Sequence, residues 1–406
     1  MEVKNISLLG HKDHGKSTLI GSLLMQTGAA TKVRIKEAEE YSTKLGKPFE
    51  PAFILDSFTE EREQEMTYDT TRAEIKYKDI ALSLIDVPGH EELIKNMISG
   101  ASYGEVALLL VSANKDEGIR DQTKRHLFIS RMLGIDKLVV AVNKMDTVSY
   151  DEKRFDEIRD GLSGFIEKIG FRRSDVRYVP ISAYNGENLV ERSRFMKWYR
   201  AKPLIDEVYD FASRNEKQME SALRMIVQGV IPSESGELVV GRIISGRLHV
   251  SEAVKALPAG FSSKISEITV KGKRVRSAKM GENVAVKLAK SIKIEMRGSI
   301  ISSAADAPKL TDSVKSKIFV TGRIGGRMSI KFNGSDIPCR AVKVLYGINP
   351  ATGEEKSAKE VKPLDAVEAE LLLSRKLPVE RYKDTKELGR FVLYSGKEFV
   401  GIGTVV

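Results

Sequence analysis

Residues 10–17 read Gly10-His11-Lys12-Asp13-His14-Gly15-Lys16-Ser17, with an apolar run over residues 6–9 before them and a helix-like segment over 17–26 after them. The spacing is G-x-x-x-x-G-K-[ST], set between a strand and a helix. A loop in that setting wraps its backbone N–H groups around a polyphosphate at a helix N-terminus. The Lys16 ammonium then reaches the outer phosphates, and the Ser17 hydroxyl binds Mg²⁺. Gly10, His11, Asp13, His14, Gly15, Lys16, Ser17 and Thr18 are therefore expected to form the phosphate cradle. The rings of His11 and His14 pack the loop, and His126 is a helix-surface or core residue.

Working outward, short apolar runs at residues 6–9, 81–85, 106–111, 138–142 and 176–181 alternate with helix-like segments at 17–26, 91–98 and 151–169. This βαβ rhythm predicts an α/β domain, a mostly parallel sheet flanked by helices. Three further motifs follow its strands in order. Asp86-Val87-Pro88-Gly89 closes the run 81–85, where the Asp86 carboxylate can hold the Mg²⁺ shell and the Gly89 N–H can sense a γ-phosphate. Asn143-Lys144-Met145-Asp146 follows the run 138–142. The Asp146 carboxylate can accept two hydrogen bonds from guanine N–H groups, Asn143 can bind the purine edge and secure the loop, and the Lys144 stem can cover the base. Adenine offers no such donor pair, so the base expected is guanine. Ser182-Ala183, after the run 176–181, can place backbone N–H groups at the guanine O6.

Beyond residue 212 the pattern changes to many short β-rich runs broken by Gly, Pro and Asp, which predicts two small antiparallel β-barrels divided around Asp306-Ala307-Pro308. The expected domains are 1–212, 213–308 and 309–406. Charge is divided unequally across them. The net charge is +10, and by count residues 1–212 carry about −3 and residues 213–406 about +13. The densest basic point is Lys271-Gly272-Lys273-Arg274-Val275-Arg276, which reads either as a solvated hairpin tip or as a phosphate-backbone contact.

With 406 residues, 41% hydrophobic and 30% charged, the chain is composed like a multidomain globular protein rather than a disordered tail or a membrane bundle. Its single cysteine, Cys339, cannot form an internal bridge, so a reducing, cytoplasmic setting is expected. The longest apolar run is too short to span a bilayer, and residues 1–5 lack the pattern of a signal peptide.

The ordered set of residues 10–17, Asp86 to His90, Asn143 to Asp146 and Ser182-Ala183 resembles the GTP-binding domain of translation GTPases. The likeness is closest to the elongation factor one-alpha branch. Supporting segments are Lys95-Asn96-Met97-Ile98-Ser99-Gly100-Ala101-Ser102, Met196-Lys197-Trp198-Tyr199 and, near the end, Tyr346-Gly347-Ile348-Asn349-Pro350-Ala351-Thr352-Gly353. The resemblance implies a GTP/GDP switch using Mg²⁺, in which Thr67 ligates the metal with Ser17 and Asp86, and His90 positions the attacking water with Lys16 on the phosphates. It also implies tRNA or a tRNA-like protein and the ribosome as partners, together with a nucleotide-exchange factor, and no membrane. The same branch contains release and rescue GTPases and the GTPase subunit of sulfate adenylyltransferase, which residues 115–123 and 126–135 also resemble. Three positions depart from the pattern. Lys12 stands where the family has valine and Glu65 where it has glycine, and both bear on the rate of hydrolysis. Ser329-Ile330-Lys331-Phe332 replaces a His-x-His pair.

Overall fold

The first sheet is built from the apolar runs that alternate with helices. In the computed structural model, which describes residues 2–44, 46–55, 72–86, 106–213, 222–233, 236–290, 297–322 and 327–406, it has six strands. They are β1 (Glu2–Leu9), β2 (Arg72–Tyr77), β3 (Ile80–Asp86), β4 (Val106–Ser112), β5 (Lys137–Asn143) and β6 (Val176–Pro180), in the order β2-β3-β1-β4-β5-β6. Every pairing from β3 to β6 is parallel. All seven residues of β4 are buried, as a strand covered on both faces requires.

The sheet is mixed because β2, which sequence reading passed over, runs antiparallel to β3 at its edge. Its alternation of exposed and buried residues suits an edge strand and leaves no continuous apolar run to mark it. The described residues include the α-helices α1 (Lys16–Gln26), α2 (Lys32–Lys44), α3 (Asp121–Met132), α4 (Glu152–Lys168) and α5 (Leu204–Ser213), and a helical turn over residues 52–55. Helix α4 starts where the Asp151 carboxylate accepts the Lys153 N–H at 3.2 Å, and it buries Phe155, Ile158, Leu162 and Ile166 at helical spacing. Leu19, Ile20, Leu23 and Leu24 of α1 share one core with Ile6, Leu8 and Leu108 of the sheet and with Val208 and Phe211 of α5.

The chain divides into two compact units, Met1–Asn215 with Asn349–Glu354, and Glu216–Ile348 with Glu355–Val406. The second unit contains two antiparallel barrels. The first barrel and its appendages comprise β7 (Arg224–Ser233), β8 (Gly236–Ser245), β9 (Arg247–His249), β10 (Ala253–Leu257), β11 (Phe261–Val270), β12 (Lys273–Val275), β13 (Ser277–Lys279), β14 (Asn283–Leu288) and β15 (Ile300–Ser303). Pairing of β10 with β11 closes the ring β10-β15-β7-β8-β14-β11, leaving β12 as an extension. The second comprises β16 (Leu310–Val320), β17 (Met328–Phe332), β18 (Ser335–Asn349), β19 (Glu354–Lys356), β20 (Ala366–Pro378), β21 (Arg390–Ser395) and β22 (Glu398–Val405), closed by β17 against β18. Closure removes the unpaired edges that such short strands would otherwise expose.

Within this unit a buried Arg224 joins the barrels. Its Nη2 lies 2.6 Å from Glu380 Oε1, and its Nη1 donates to the Asp306 carbonyl at 2.8 Å. The basic cluster at 271–276 forms a hairpin, with Lys271 and Gly272 turning at positive φ between β11 and β12. Arg274 is tied down there by Glu267 at 2.9 Å. Where the family's His-x-His pair is replaced, the Lys331 ammonium lies 4.4 Å from the centre of the Tyr394 ring.

Candidate active site

The candidate residues collect at the carboxyl end of the parallel strands, where open α/β sheets bind ligands. Strand register puts Asp86 beside Leu8, Asn143 beside Ser112, and Pro180 beside Val142. The loop of residues 10–15 leaves β1 at the same end. Its glycines have no room for a side chain: a Cβ on Gly10 (φ +140°) would lie 2.7 Å from the Leu110 carbonyl oxygen, and one on Gly15 (φ +86°) 2.6 Å from Asn143 Nδ2. The loop is thereby pressed onto β4 and β5.

Helix α1 begins after Gly15 with no capping side chain and no acidic residue in its first turn. Its ladder starts with the bond from Leu19 N–H to the Gly15 carbonyl, so the amides of Ser17 and Thr18 precede it. A helix N-terminus without a side-chain cap is what an anionic phosphate would complete. Lys16 is buried, its Nζ 3.1 Å from the Gly10 carbonyl oxygen and 3.3 Å from that of His11. Those contacts hold the ammonium over the loop. Ser17 and Thr18 are half-buried on the first turn.

The two loop histidines differ. His11 caps the short 3₁₀ turn that follows it, accepting from the Asp13 N–H. His14 is 1% exposed, and its Nδ1 lies 3.0 Å from the Leu110 carbonyl oxygen, the geometry of a neutral ring donating one N–H. Burial pushes its pKa below the ordinary 6.5, against the opposing pull of that carbonyl. His126 is buried on α3.

At the base end, side chains stitch the loops together. Asn143 Nδ2 donates to the His14 carbonyl at 2.8 Å, and its Oδ1 accepts the Ala183 N–H at 2.9 Å, so one buried amide ties the phosphate loop to the Ser182-Ala183 loop. Ser182 Oγ donates to Asp146 Oδ1 at 2.5 Å, and Ser22 Oγ of α1 donates to the Ala183 carbonyl at 2.5 Å. The two N–H groups expected at guanine O6 are engaged within the protein, that of Ser182 with the Glu187 carbonyl and that of Ala183 with Asn143. The amide of Tyr184, next in the loop, has no acceptor among the loop's described hydrogen bonds, whereas that of Asn185 donates to Ser182 Oγ.

Sequence reading missed Glu117. Both its carboxylate oxygens hold Lys144 Nζ, at 2.8 and 2.9 Å, which extends the lysine stem from its left-handed position (φ 62°) beside Asp146. Burial favours the protonated Glu117, but the Lys144 ammonium and a bond from Ser112 outweigh it and hold the carboxyl below its usual range. Only a 27-residue separation stood against reading the pair from sequence, and Glu117 does lie within the segment 115–123 that the resemblance singled out.

Thr67, Gly89, His90 and Glu65 lie outside the described residues, as do the segment 91–98 and the side chains of Lys12 and Asp86. The backbone of Asp86 ends β3. Ser17, on the first turn of α1, carries a hydroxyl oxygen of the hard kind that Mg²⁺ takes when phosphate oxygens complete its shell. Among the described residues no cluster of three or more His, Cys, Asp or Glu could hold a metal without such help. No described helix is long and apolar enough to cross a membrane.

The chain is similar in sequence to known proteins along nearly its whole length. Residues 1–230 match the family model described as elongation factor Tu GTP binding domain, and residues 320–406 match GTP-eEF1A C-terminal domain-like. The elongation factor 1-alpha of Saccharolobus solfataricus is 35% identical over 419 residues, covering 99% of this chain and 96% of that protein. That of Methanothermobacter thermautotrophicus is 32% identical over 414 residues, covering 100% and 97%. Among solved structures, sup35 complexed with GDP aligns over 100% of this chain and 94% of its own at 23% identity, with a TM-score of 0.45.

Proposed function

The chain belongs to the translation GTPase family of elongation factors Tu and 1-alpha, and we propose that within it the protein is a GTP-driven switch, a divergent elongation factor 1-alpha-like carrier that brings aminoacyl-tRNA or a tRNA-shaped factor to the ribosome. The observation that carries this reading is the assembled site: an uncapped helix N-terminus for phosphate, joined through Asn143 to an Asp146–Ser182 pair suited to guanine. Elongation factor 1-alpha relatives that match along 99% of the chain supply the context.

In this reading the amides of the loop and of α1 bind the phosphates, and Lys16 neutralises their charge. Asp146 holds the guanine N–H groups with its remaining carboxylate oxygen, and the Lys144 stem, drawn out by Glu117, covers the base. Tyr184 N–H or the Ser182-Ala183 amides, once released from their protein acceptors, meet O6. Ser17, Thr67 and Asp86 would hold Mg²⁺, which when bound offsets charge on the β- and γ-phosphates. His90 orients the water that attacks the γ-phosphorus, and Lys12 and Glu65 set how fast hydrolysis proceeds. The modules 1–212, 213–308 and 309–406 divide the work, with nucleotide on the first and RNA phosphate on the basic second and third. The protein acts in the cytoplasm and is recharged by an exchange factor.

The test is a pulldown of the full chain loaded with a non-hydrolysable GTP analogue, followed by identification of bound RNA and protein. Aminoacyl-tRNA or a tRNA-shaped protein, retained with GTP analogue and lost with GDP, is the expected result. Recovery of a sulfate-activating catalytic subunit in its place would refute the carrier role.

A further inference from the structure

The stretch Glu191-Arg192-Ser193-Arg194-Phe195-Met196-Lys197-Trp198-Tyr199-Arg200 runs against the charge of its surroundings. Residues 1–212 sum to about −3, yet this decapeptide holds four cations and one acid. Arg192, Arg194, Lys197 and Arg200 are all exposed, and none has an ion-pair partner among the described residues. Phe195, in their midst, is 62% exposed and stacks flat on Tyr150, with ring centres 5.0 Å apart and planes 10° from parallel. Tyr150 is held at φ 57°, directly after Ser149 at φ 54°. Two successive bulky or polar residues in the left-handed region are costly, of order 1–3 kcal/mol each, and such positions gather at functional surfaces. The Asn185 amide donates to the Tyr150 hydroxyl at 3.2 Å, and neighbouring Tyr184 is 48% exposed.

Exposed aromatic faces among unpaired cations form the combination that single-stranded nucleic acid recognises. Bases stack on the rings while the backbone follows the positive charge. Every base has a π-face to lay on Phe195, and the phosphates between bases would meet the surrounding cations. We propose that the Arg192–Arg200 surface with Phe195 and Tyr184 is a docking site for an unpaired segment of RNA, separate from the barrels' basic hairpin and adjoining the base end of the nucleotide site. That adjacency has a consequence. Asn185 N–H donates to Ser182 Oγ, which in turn bonds Asp146, so RNA held on this surface bears on the loop that grips guanine.

The chain carries its own reporter. Its single tryptophan, Trp198, lies within the stretch, with Nε1 donating to the Tyr150 carbonyl at 3.0 Å. In the full-length protein, titration with an unpaired oligoribonucleotide of about 12 nucleotides should alter Trp198 emission, and duplex RNA should not. The triple variant Arg194→Gln, Lys197→Gln, Arg200→Gln should reduce the slope of log affinity against log salt by roughly 2, at about 0.7 per phosphate for single strands. Phe195→Ala should weaken binding about tenfold and abolish the emission change, and Phe195→Tyr should restore both. GTP affinity of the variants without RNA checks that the domain is intact. Unchanged affinity and emission in the triple and Phe195→Ala variants, with binding lost on neutralising Lys271, Lys273 and Arg274, would overturn this site while sparing the barrels' RNA contact. An acidic peptide bound in a Phe195-dependent manner more tightly than the oligonucleotide would overturn it in favour of a protein partner.

Discussion

The two ends of the nucleotide site are built on opposite principles. At the phosphate end, the start of α1 has no side-chain cap, and the glycines are confined by Leu110 and Asn143. At the base end, side chains saturate one another: Asn143 between two loops, Ser182 on Asp146, Glu117 on Lys144. Phosphate carries formal charge and no shape that differs among nucleotides, so partial charges and a helix dipole suffice. Guanine is told from other bases by direction of hydrogen bonding, which requires acceptors held in place by further bonds. The base end is thus where substitution should do most harm to the domain itself.

Asn143→Ala should have the largest effect. It strands the His14 carbonyl and the Ala183 N–H in a buried place, at about 1–3 kcal/mol each, so thermal denaturation should show a loss of about 2–6 kcal/mol in the GTPase domain. A loss under about 1 kcal/mol would mean that the loops are held elsewhere. Asp146→Asn comes next. With the charged acceptor gone, GTP affinity measured calorimetrically should fall about 100-fold while xanthosine triphosphate binds better, from two hydrogen bonds to a charged group at about 1.5–3 kcal/mol each, partly regained by solvent. Unchanged preference would break the distinction between the two ends.

Glu117→Gln should be milder. The pair it removes is about a quarter exposed on both sides, so solvent screening limits the loss to about 0.5–1 kcal/mol, a two- to fivefold drop in GTP affinity from a less ordered Lys144.

The smallest effect concerns acid. His14 has its native pKa lowered from 6.5, so the unfolded chain binds the proton more readily than the folded one. The stability that His14 contributes is complete above about pH 6.5 and is lost as pH falls towards its lower native value. Glu117, held low by Lys144, stays ionised through that window. Denaturant melts between about pH 7.5 and 5.5 should therefore show a decline that is shallower in His14→Gln, and equal slopes would refute the assignment.

Much of this was legible in one dimension. The candidate phosphate loop reads from its glycine spacing, the candidate guanine loop from Asn143-Lys144-Met145-Asp146, and five of the six sheet strands from apolar runs, four of which (β1, β3, β5 and β6) end at motif residues. Local signals of this kind depend on neighbours a few residues apart. Strand β2 escaped because alternation over six residues at a sheet edge resembles an amphipathic loop. Glu117 escaped because nothing near it in sequence announces Lys144. What the Ser182 and Ala183 amides bond in the folded chain is not written in the dipeptide, since the acceptor of a backbone N–H depends on what lies across from it.

The sequence by itself carries the chemistry that spacing can encode, on which the proposed function rests: a loop of polyphosphate-binding spacing, a carboxylate proposed for guanine, and a first part of slightly acidic balance followed by basic β-rich parts. Folding in three dimensions chose the partners. It placed Asn143 between loops 129 and 40 residues away, stretched Lys144 with Glu117, buried His14 as a neutral ring, and stacked Phe195 on Tyr150 amid unpaired cations. Those outcomes rest on directional bonds and burial between residues distant along the chain, and neither composition nor period carries that information.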